Sequence, residues 1–195
     1  MRQGRLIYLM GASGAGKDSL IDAARLQLAA RGIDVVRRVI TRSAEASGEQ
    51  ALGVTRDAFE DMACQGRFAL DWEANGLRYG IPIEIDQALA EGKWVLMNGS
   101  RGHLQNALRR YPMLLPVLVT VSDSVLRQRL VARGRETEAE IDGRLNRNNA
   151  LGTADSIWQG TTTPLYQVDN SAALGEAVGA FIALIDQLQL NAVEG

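Results

Sequence analysis

The chain has 195 residues, of which 46% are hydrophobic and 23% are charged, which fits one compact domain with a sizeable core. Its formal net charge of -2 excludes the global basic field that attracts nucleic acid or an anionic membrane, although local basic clusters can still bind small anions. A single cysteine excludes a disulfide framework, and the first apolar run is too short for a signal peptide or a membrane span, so we expect a soluble, cytoplasmic protein.

The first part of the chain predicts a strand, a glycine-rich turn and a helix. Residues 6–10 are a short apolar run typical of a buried parallel strand, and residues 19–31 carry apolar side chains at helical spacing. Gly32 suits the C-terminal cap of that helix. Residues 35–40 predict a second strand, and residues 43–53 predict an irregular loop.

The middle of the chain departs from a simple alternation of strands and helices. The predicted elements are a helix over 55–65, strands over 68–72 and 77–79, and a helix over 83–91. Thr55 is expected to cap the first of these helices, and Asn75-Gly76 is a turn signal for a β-hairpin. Because the hairpin breaks the alternation, residues 37–92 predict a subdomain inserted beside the main sheet.

The last part of the chain returns to alternating strands and helices. The predicted elements are strands over 94–97, 114–121 and 165–168, helices over 122–133, 137–149 and 171–190, and a loop over 152–164. Ser122 and Ser171 are expected N-caps, and Thr137 with Glu140 forms a capping box. This alternation indicates an α/β protein with a mostly parallel sheet covered on both faces.

A glycine-rich stretch between the first strand and the first helix predicts a phosphate-binding loop. Its glycines allow backbone N–H groups to turn inward around phosphate oxygens, and the following helix adds the positive end of its dipole. Lys17 supplies a cation for the β- and γ-phosphates of ATP and is a predicted catalytic residue. The predicted ATP-binding residues are Gly11, Ala12, Ser13, Gly14, Ala15, Gly16, Lys17, Asp18 and Ser19.

The residue directly after Lys17 departs from the usual pattern of such loops. A Ser or Thr that ligates Mg²⁺ normally stands there, and here the position holds Asp18. A carboxylate is a good ligand for this hard cation, but it adds negative charge beside the phosphates. Three interpretations stay open: Asp18 approaches Mg²⁺ directly or through water, Ser19 takes part, or Asp18 is a first-turn acid favoured by the helix dipole.

Several motifs, in the same order, resemble those of guanylate-kinase-like P-loop proteins over roughly residues 5–175. They are the GASGAGKDSL loop, Thr41-Arg42, the helix after Thr55 with Phe59, the stretch from Phe68 to Tyr79-Gly80, and the run from Leu126 through Arg144-Leu145. The resemblance implies a P-loop NTPase three-layer sandwich in one domain, with ATP and Mg²⁺ as cofactors. It divides the chain into a core over 1–36, 93–124 and 151–195, an acceptor-binding subdomain over about 37–92, and a short lid over about 125–150.

The positions that read guanine in that family do not match. The base-reading glutamate falls at Leu70, a tyrosine falls near Ala51, and an acidic Asp-x-Asp is replaced within residues 98–101. A buried apolar side chain cannot replace a carboxylate that accepts hydrogen bonds from guanine, so we do not expect GMP to be the acceptor. An aspartate of the Walker-B type is not evident after Met97.

Four motifs resemble instead the ribose 1,5-bisphosphate phosphokinase family of bacterial phosphonate breakdown. They are GKDS in the loop, ITR at 40–42, RYGIP at 78–82 and NGSR at 98–101. This resemblance implies that ATP phosphorylates ribose 1,5-bisphosphate to 5-phospho-α-D-ribose 1-diphosphate (PRPP). The substrate comes from the resemblance, and neither spacing nor composition supplies it.

An acceptor with two phosphates needs cations and no pocket for a base. Arginine binds phosphate with two parallel hydrogen bonds, and the predicted substrate-binding residues are Arg42, Arg78, Tyr79 and Arg101. Lid arginines can close over ATP and offset charge during transfer, and the predicted catalytic residues there are Arg133 and Arg144. For each arginine, a solvated surface position is the alternative interpretation.

The predicted reaction needs no protein base, because the attacking oxygen belongs to a phosphate that is already an anion. This agrees with a sequence that carries no Ser/His/Asp set and no zinc-ligand cluster. Two other functions stay open: a nucleoside monophosphate kinase of altered specificity, and a non-catalytic guanylate-kinase-like binding module. The expected partner is a small phosphorylated sugar, and the sequence does not indicate an oligomeric state.

Overall fold

The computed structural model describes residues 4–41, 51–134, 136–150 and 163–194. In chain order the strands are β1 (Arg5–Gly11), β2 (Ile33–Val35), β3 (Val39–Ile40), β4 (Leu52–Gly53), β5 (Phe68–Ala74), β6 (Leu77–Pro82), β7 (Trp94–Asn98), β8 (Leu115–Thr120) and β9 (Tyr166–Asp169). The helices are α1 (Lys17–Ala29), α2 (Arg56–Cys64), α3 (Ile85–Ala90), α4 (Leu104–Arg110), α5 (Asp123–Arg133), α6 (Glu138–Ala150) and α7 (Leu174–Glu194), and a 3₁₀ turn spans Arg101–His103.

A parallel sheet of five strands, in the order β2-β7-β1-β8-β9, forms the centre of the molecule. Leu9 pairs with Asn98 and Gly11 pairs with Val119, so the carboxyl ends of β1, β7 and β8 meet at one edge. Ligands of open α/β sheets bind outside this edge. The sheet therefore places the glycine-rich loop, which follows β1, at the expected binding edge.

Both faces of the central sheet are covered, because β1 alternates its apolar side chains between two clusters. Ile7 and Leu9 pack with α1 and α7 on one face, and Tyr8 and Met10 pack on the other face against the second sheet and α4. This arrangement confirms the predicted α/β architecture with a mostly parallel sheet. In the part of the chain that the structure describes, no helix is both long and apolar enough to cross a membrane.

A second sheet, in the order β4-β3-β6-β5, lies against the Tyr8 face of the central sheet. Its hairpin turns at Asn75 and Gly76, whose φ angles of 53° and 74° are the positive values that a type I′ turn requires. Trp72 and Ile81 are among the buried residues that join this sheet to the core. The hairpin is confirmed, and the boundaries of core, subdomain and lid stay predictions.

Two of the predicted helix caps are confirmed. The hydroxyl of Thr55 accepts from the N–H of Ala58 over 3.2 Å at the start of α2. The N–H of Thr137 donates to Glu140 Oε2 over 2.7 Å, which is one half of the predicted capping box. The cap predicted at Ser171 is wrong, because α7 begins at Leu174 and the Ser171 hydroxyl donates to Asp169 instead.

The strand predicted over 35–40 is in fact two strands in different sheets. β2 ends at Val35 and pairs with β7, whereas β3 begins at Val39 and pairs with β6. The loop predicted over 43–53 is wrong at Leu52–Gly53, which form β4, and residues 42–50 lie outside the described residues. The sequence pattern also did not predict α4, although Leu104 and Ala107 of that helix are fully buried.

Candidate functional site

The loop between β1 and α1 has a backbone that only glycine adopts readily. Gly14 and Gly16 have φ angles of 99° and 85°, in the left-handed region. A Cβ at Gly16 would lie 2.5 Å from Asn170 Nδ2, and one at Gly14 would lie 2.8 Å from Leu126 Cδ1. Neighbouring side chains therefore exclude larger residues from both positions, so the loop keeps its tight turn.

Asn170 and Arg129 hold this loop from the side of α5 and β9. Asn170 is 2% exposed, and its Nδ2 donates to the carbonyl of Ala15 over 2.7 Å. Arg129 Nη2 donates to the carbonyl of Asn170 over 2.8 Å, and its Nη1 lies 3.4 Å from the Ala15 carbonyl. Arg129, which belongs to the predicted lid, therefore braces the loop.

Lys17 lies at the centre of a group of cations. Its Nζ donates to the carbonyls of Gly11 and Ala12, each over 3.0 Å, which leaves the ammonium group a further N–H for a ligand. Burial lowers the pKa of Lys17 to about 8 against the opposing effect of Asp18, and the positive charges of three arginines lower the pKa further. These arginines are Arg38, Arg101 and Arg133. A site that disfavours its own cation in this way favours an incoming anion.

Asp18 has its described partners at the end of β7 and just after β2. Asn98 Nδ2 donates to Asp18 Oδ1 over 2.6 Å, and Arg38 Nη2 lies 3.7 Å from the same oxygen. Arg38 also donates to the backbone carbonyl of Asn98 over 3.1 Å. Ser19 is exposed, in contrast to the half-buried Asp18.

The oxygens at this position are of the kind that Mg²⁺ binds. The buried Oδ1 of Asn98 has no hydrogen-bond partner among the described residues, and the Asp18 carboxylate is the negative group beside Lys17. Across the described ranges, no group of three or more His, Cys, Asp or Glu side chains could hold a metal ion. Apart from Asp18 and Asn98, a magnesium ion here would therefore depend on oxygens from the nucleotide and water.

Helices α5 and α6, which fall in the predicted lid, pack directly against the loop. Arg144 Nη1 donates to Ser13 Oγ over 2.9 Å, and its Nη2 pairs with Glu136. Arg133 ends α5 with an exposed side chain that makes no hydrogen bond or ion pair with any residue the structure describes. The structure thus brings Arg144 to the loop and leaves Arg133 close enough for its charge to reach Lys17. Their catalytic roles stay predictions.

The predicted acceptor-binding arginines differ in their described contacts. Arg101 donates to the side chain of Asn148 over 3.0 Å, and burial lowers its pKa. Arg78 pairs instead with Asp71 over 2.7 Å and lies over the ring of Phe59, so its described contacts belong to the second sheet and α2. Arg42 lies outside the described residues.

Tyr79 belongs to a row of stacked rings that joins the second sheet to the 3₁₀ turn. Its ring lies 5.5 Å from that of Trp72, and Trp72 lies 5.3 Å from the ring of His103. Arg38 stands 5.3 Å from the centre of the Tyr79 ring. The row therefore connects a predicted substrate residue to the group of cations around Lys17.

Motif matching did not single out Asn98, Asn170 or Asn148 as individual contributors to the site. Each acts through a contact with a predicted residue, namely Asp18, Ala15 or Arg101. Asn98 and Asn170 end or directly follow strands of the central sheet. Their position at the carboxyl edge is the signal that could have found them.

Curated proteins named ribose 1,5-bisphosphate phosphokinase PhnN are similar to this chain over nearly its whole length. The protein of Pseudomonas fluorescens (strain SBW25) is 57% identical, with 94% of this chain and 95% of that protein covered. The protein of Desulfomicrobium baculatum is 45% identical, with 93% and 94% covered. A scan against protein-family models found no match.

Solved structures of kinases share the fold. A guanylate kinase from Anaplasma phagocytophilum matches with a TM-score of 0.70 at 15% identity, covering 96% of this chain and 88% of that chain. A gluconokinase from Sinorhizobium meliloti 1021 matches with a TM-score of 0.52 at 18% identity, covering 98% and 99%. These likenesses confirm the predicted guanylate-kinase-like P-loop fold.

Proposed function

Because the chain belongs to the ribose 1,5-bisphosphate phosphokinase family, we propose that it transfers the γ-phosphoryl group of ATP to ribose 1,5-bisphosphate. The product is PRPP, and the reaction serves phosphonate degradation. The observation that carries the proposal is a glycine-rich loop at the carboxyl edge of the sheet, where Arg38 lies beside Asp18 and Arg144 donates to Ser13. The charges of Arg38, Arg101 and Arg133 also lower the pKa of Lys17 in this loop. Such a site suits two ligands, ATP and a sugar bisphosphate, whose negative phosphate groups repel one another.

ATP binds through the loop of residues 11–19. Backbone N–H groups of the loop and the start of α1 surround the phosphates, and the free N–H of Lys17 reaches the β- and γ-phosphates. Arg144, held at Ser13, lies where it can contact the same phosphate group. Asn170 and Arg129 keep the loop in shape, so little reorganisation is needed on binding.

The acceptor attacks with an oxygen of its 1-phosphate. A bond forms between that oxygen and the γ-phosphorus, while the bond from the γ-phosphorus to the bridging oxygen breaks and ADP leaves with the electron pair. The attacking oxygen is an anion at neutral pH, so no protein group has to remove a proton. Arg42, Arg78, Tyr79 and Arg101 hold the acceptor, and Lys17, Arg133 and Arg144 screen the charge.

Mg²⁺, when bound, would offset the negative charge of the nucleotide phosphates. Asp18 is the protein ligand we assign to it, because its carboxylate lies next to Lys17 and half of its side chain surface is reachable from solvent.

We place the protein in the cytoplasm, with a small phosphorylated sugar as its partner and without nucleic acid or membrane contacts. The net charge of -2 supports the last point, and the exposed free thiol of Cys64 suits a reducing compartment. Neither rival function gains support. Leu70 is 6% exposed within the core and offers no acceptor to a guanine, and a binding module needs no such group of cations.

A coupled assay of ADP release tests the proposal with ribose 1,5-bisphosphate, GMP and AMP as acceptors. We expect turnover with the sugar bisphosphate and, for Lys17→Ala, loss of nearly all activity with an unchanged fold. Lys93→Ala is the matched control, because Lys93 is a surface lysine paired with Glu91. Turnover confined to GMP or AMP, or unchanged activity of Lys17→Ala, would contradict the proposal.

A further inference from the structure

The side chains of Asp18 and Asn98 form a pair that leaves two oxygen atoms without a hydrogen-bond donor among the residues that the structure describes. Asn98 is 5% exposed, its Nδ2 donates to Asp18 Oδ1, and its own Oδ1 has no hydrogen-bond partner among the described residues. Buried polar atoms of folded proteins almost always have a partner, which can be a ligand or an ordered water. The amide oxygen of Asn98 can therefore accept a group that the described part of the chain does not supply.

The second open oxygen belongs to Asp18. Its described contacts, with Asn98 Nδ2 and with Arg38 Nη2, are both made by Oδ1. Oδ2 accepts no hydrogen bond from the residues that the structure describes, and the Asp18 side chain is 43% exposed. An ion that arrives with a nucleotide can therefore reach Oδ2 without breaking the pair.

On the basis of the proposed function, we propose that Asp18 and Asn98 together form the protein's share of the Mg²⁺ site. Asp18 Oδ2 supplies the charged oxygen and Asn98 Oδ1 supplies the neutral one. Mg²⁺ usually takes one or two protein oxygens and fills its remaining positions with water and substrate phosphates. P-loop enzymes commonly use a hydroxyl after the lysine and a carboxylate from a neighbouring strand. Here the charged and the neutral ligand have exchanged places.

The packing explains why the carboxylate lies on the helix and not on the strand. The end of β7 is tightly enclosed: Asn98 is buried, and a Cβ at Gly99 would lie 2.3 Å from the Tyr8 ring. A carboxylate buried at position 98 would lose most of its hydration. Asp18 instead stands in the first turn of α1, where the helix dipole favours negative charge and water reaches the side chain.

The test measures how much Mg²⁺ tightens the binding of a non-hydrolysable ATP analogue. Isothermal titration calorimetry in Mg²⁺ and in EDTA gives that ratio for the wild type, Asn98→Ala and Asp18→Ala. We expect each substitution to reduce the ratio about tenfold or more, while binding in EDTA stays unchanged or becomes tighter. Asp22→Ala is the matched control, because Asp22 lies one turn further along α1 and pairs with Arg25 at the surface.

A double variant tests the exchange itself. Asp18→Ser combined with Asn98→Asp puts the charged and the neutral oxygen in the usual order, but its carboxylate is buried, so its Mg²⁺ ratio should stay below that of the wild type. Circular dichroism checks the fold, and Asn98→Ser replaces Asn98→Ala if the alanine variant does not fold. Titration of Mn²⁺ followed by electron paramagnetic resonance measures the affinity for the ion directly and should follow the same order.

The calorimetric results distinguish a failure of the Mg²⁺-ligand inference from a failure of the proposed kinase function. If Asn98→Ala weakens analogue binding equally in Mg²⁺ and in EDTA, Asn98 supports the loop and not the ion, and the inference is overturned. A double variant whose Mg²⁺ ratio reaches that of the wild type contradicts the packing argument for the exchange. If the wild type binds no analogue under either condition, the proposed kinase function fails instead.

Discussion

Adding one methyl group at Gly16 should cost the protein a large part of its stability. The φ angle of 85° costs an L-residue about 1–2 kcal/mol. The new Cβ would lie 2.5 Å from Asn170 Nδ2, so Asn170 must move and release the carbonyl of Ala15. A buried carbonyl that loses its partner costs about 1–3 kcal/mol, and the long contact from Arg129 favours the lower end. Gly16→Ala should therefore lower the free energy of unfolding by about 2–5 kcal/mol.

Urea denaturation followed by circular dichroism measures this loss, with Gly32→Ala as the control. Gly32 also has a positive φ, of 68°, but a Cβ there would meet nothing within 4 Å, so only the backbone cost applies. Combining Gly16→Ala with Asn170→Ala removes the clash, so the double variant should lose about 1 kcal/mol less than the sum of the two single losses. Equal losses for Gly16→Ala and Gly32→Ala, or strict additivity with Asn170→Ala, would refute the reasoning.

Three further predictions concern the lid and the surface helices. Arg144→Ala should lower kcat/KM in the coupled assay by about 10²–10³-fold, because it removes a cation from the transferred phosphate, and an unchanged value would argue against a catalytic role. Gly179→Ala should raise the free energy of unfolding by about 0.5–1 kcal/mol, because a Cβ there meets nothing within 4 Å in α7 and alanine favours helix; a lower stability would contradict this. The hydrogen bonds from Thr137 hold the pKa of Glu140 below its ordinary value. The contribution of Glu140 to the free energy of unfolding is therefore present above the ordinary pKa of a glutamate and is lost as the pH falls. The stability difference between the wild type and Glu140→Ala, measured in urea, should shrink from pH 7 towards acid.

Local sequence patterns predicted most of the helices and strands. They predicted strand boundaries wrongly where residues distant in the sequence determine which strands pair. The alternating burial of β1 and the hairpin turn at Asn75 and Gly76 depend on neighbouring residues, so the sequence pattern contains them. The run over 35–40 looks like one strand because both of its ends are apolar. Its division follows from partners far along the chain, since Val35 pairs with Leu96 and Ile40 with Tyr79.

The candidate site shows the same difference between residues that are adjacent in the sequence and residues that only the fold brings together. The loop of residues 11–19 is continuous in the chain, so its glycines and Lys17 could be predicted together. Asn170 lies 155 residues from the carbonyl that it holds, and only the fold brings them together. The surroundings of Arg78 also depend on the fold, because the hairpin brings Asp71 within 2.7 Å of its guanidinium, and the sequence pattern did not predict that pairing.

Two arginines of the site already have protein partners in this structure: Arg144 donates to Ser13, and Arg101 donates to Asn148. A phosphate that engages either guanidinium replaces one acceptor by another, so the gain is the difference between two hydrogen bonds and not the whole of one. The exchange reverses when ADP and product leave, because the two arginines can again donate to Ser13 and Asn148. The affinity for ligands is therefore lower than two unpaired arginines would give. After each turnover, neither guanidinium is left without a hydrogen-bond acceptor.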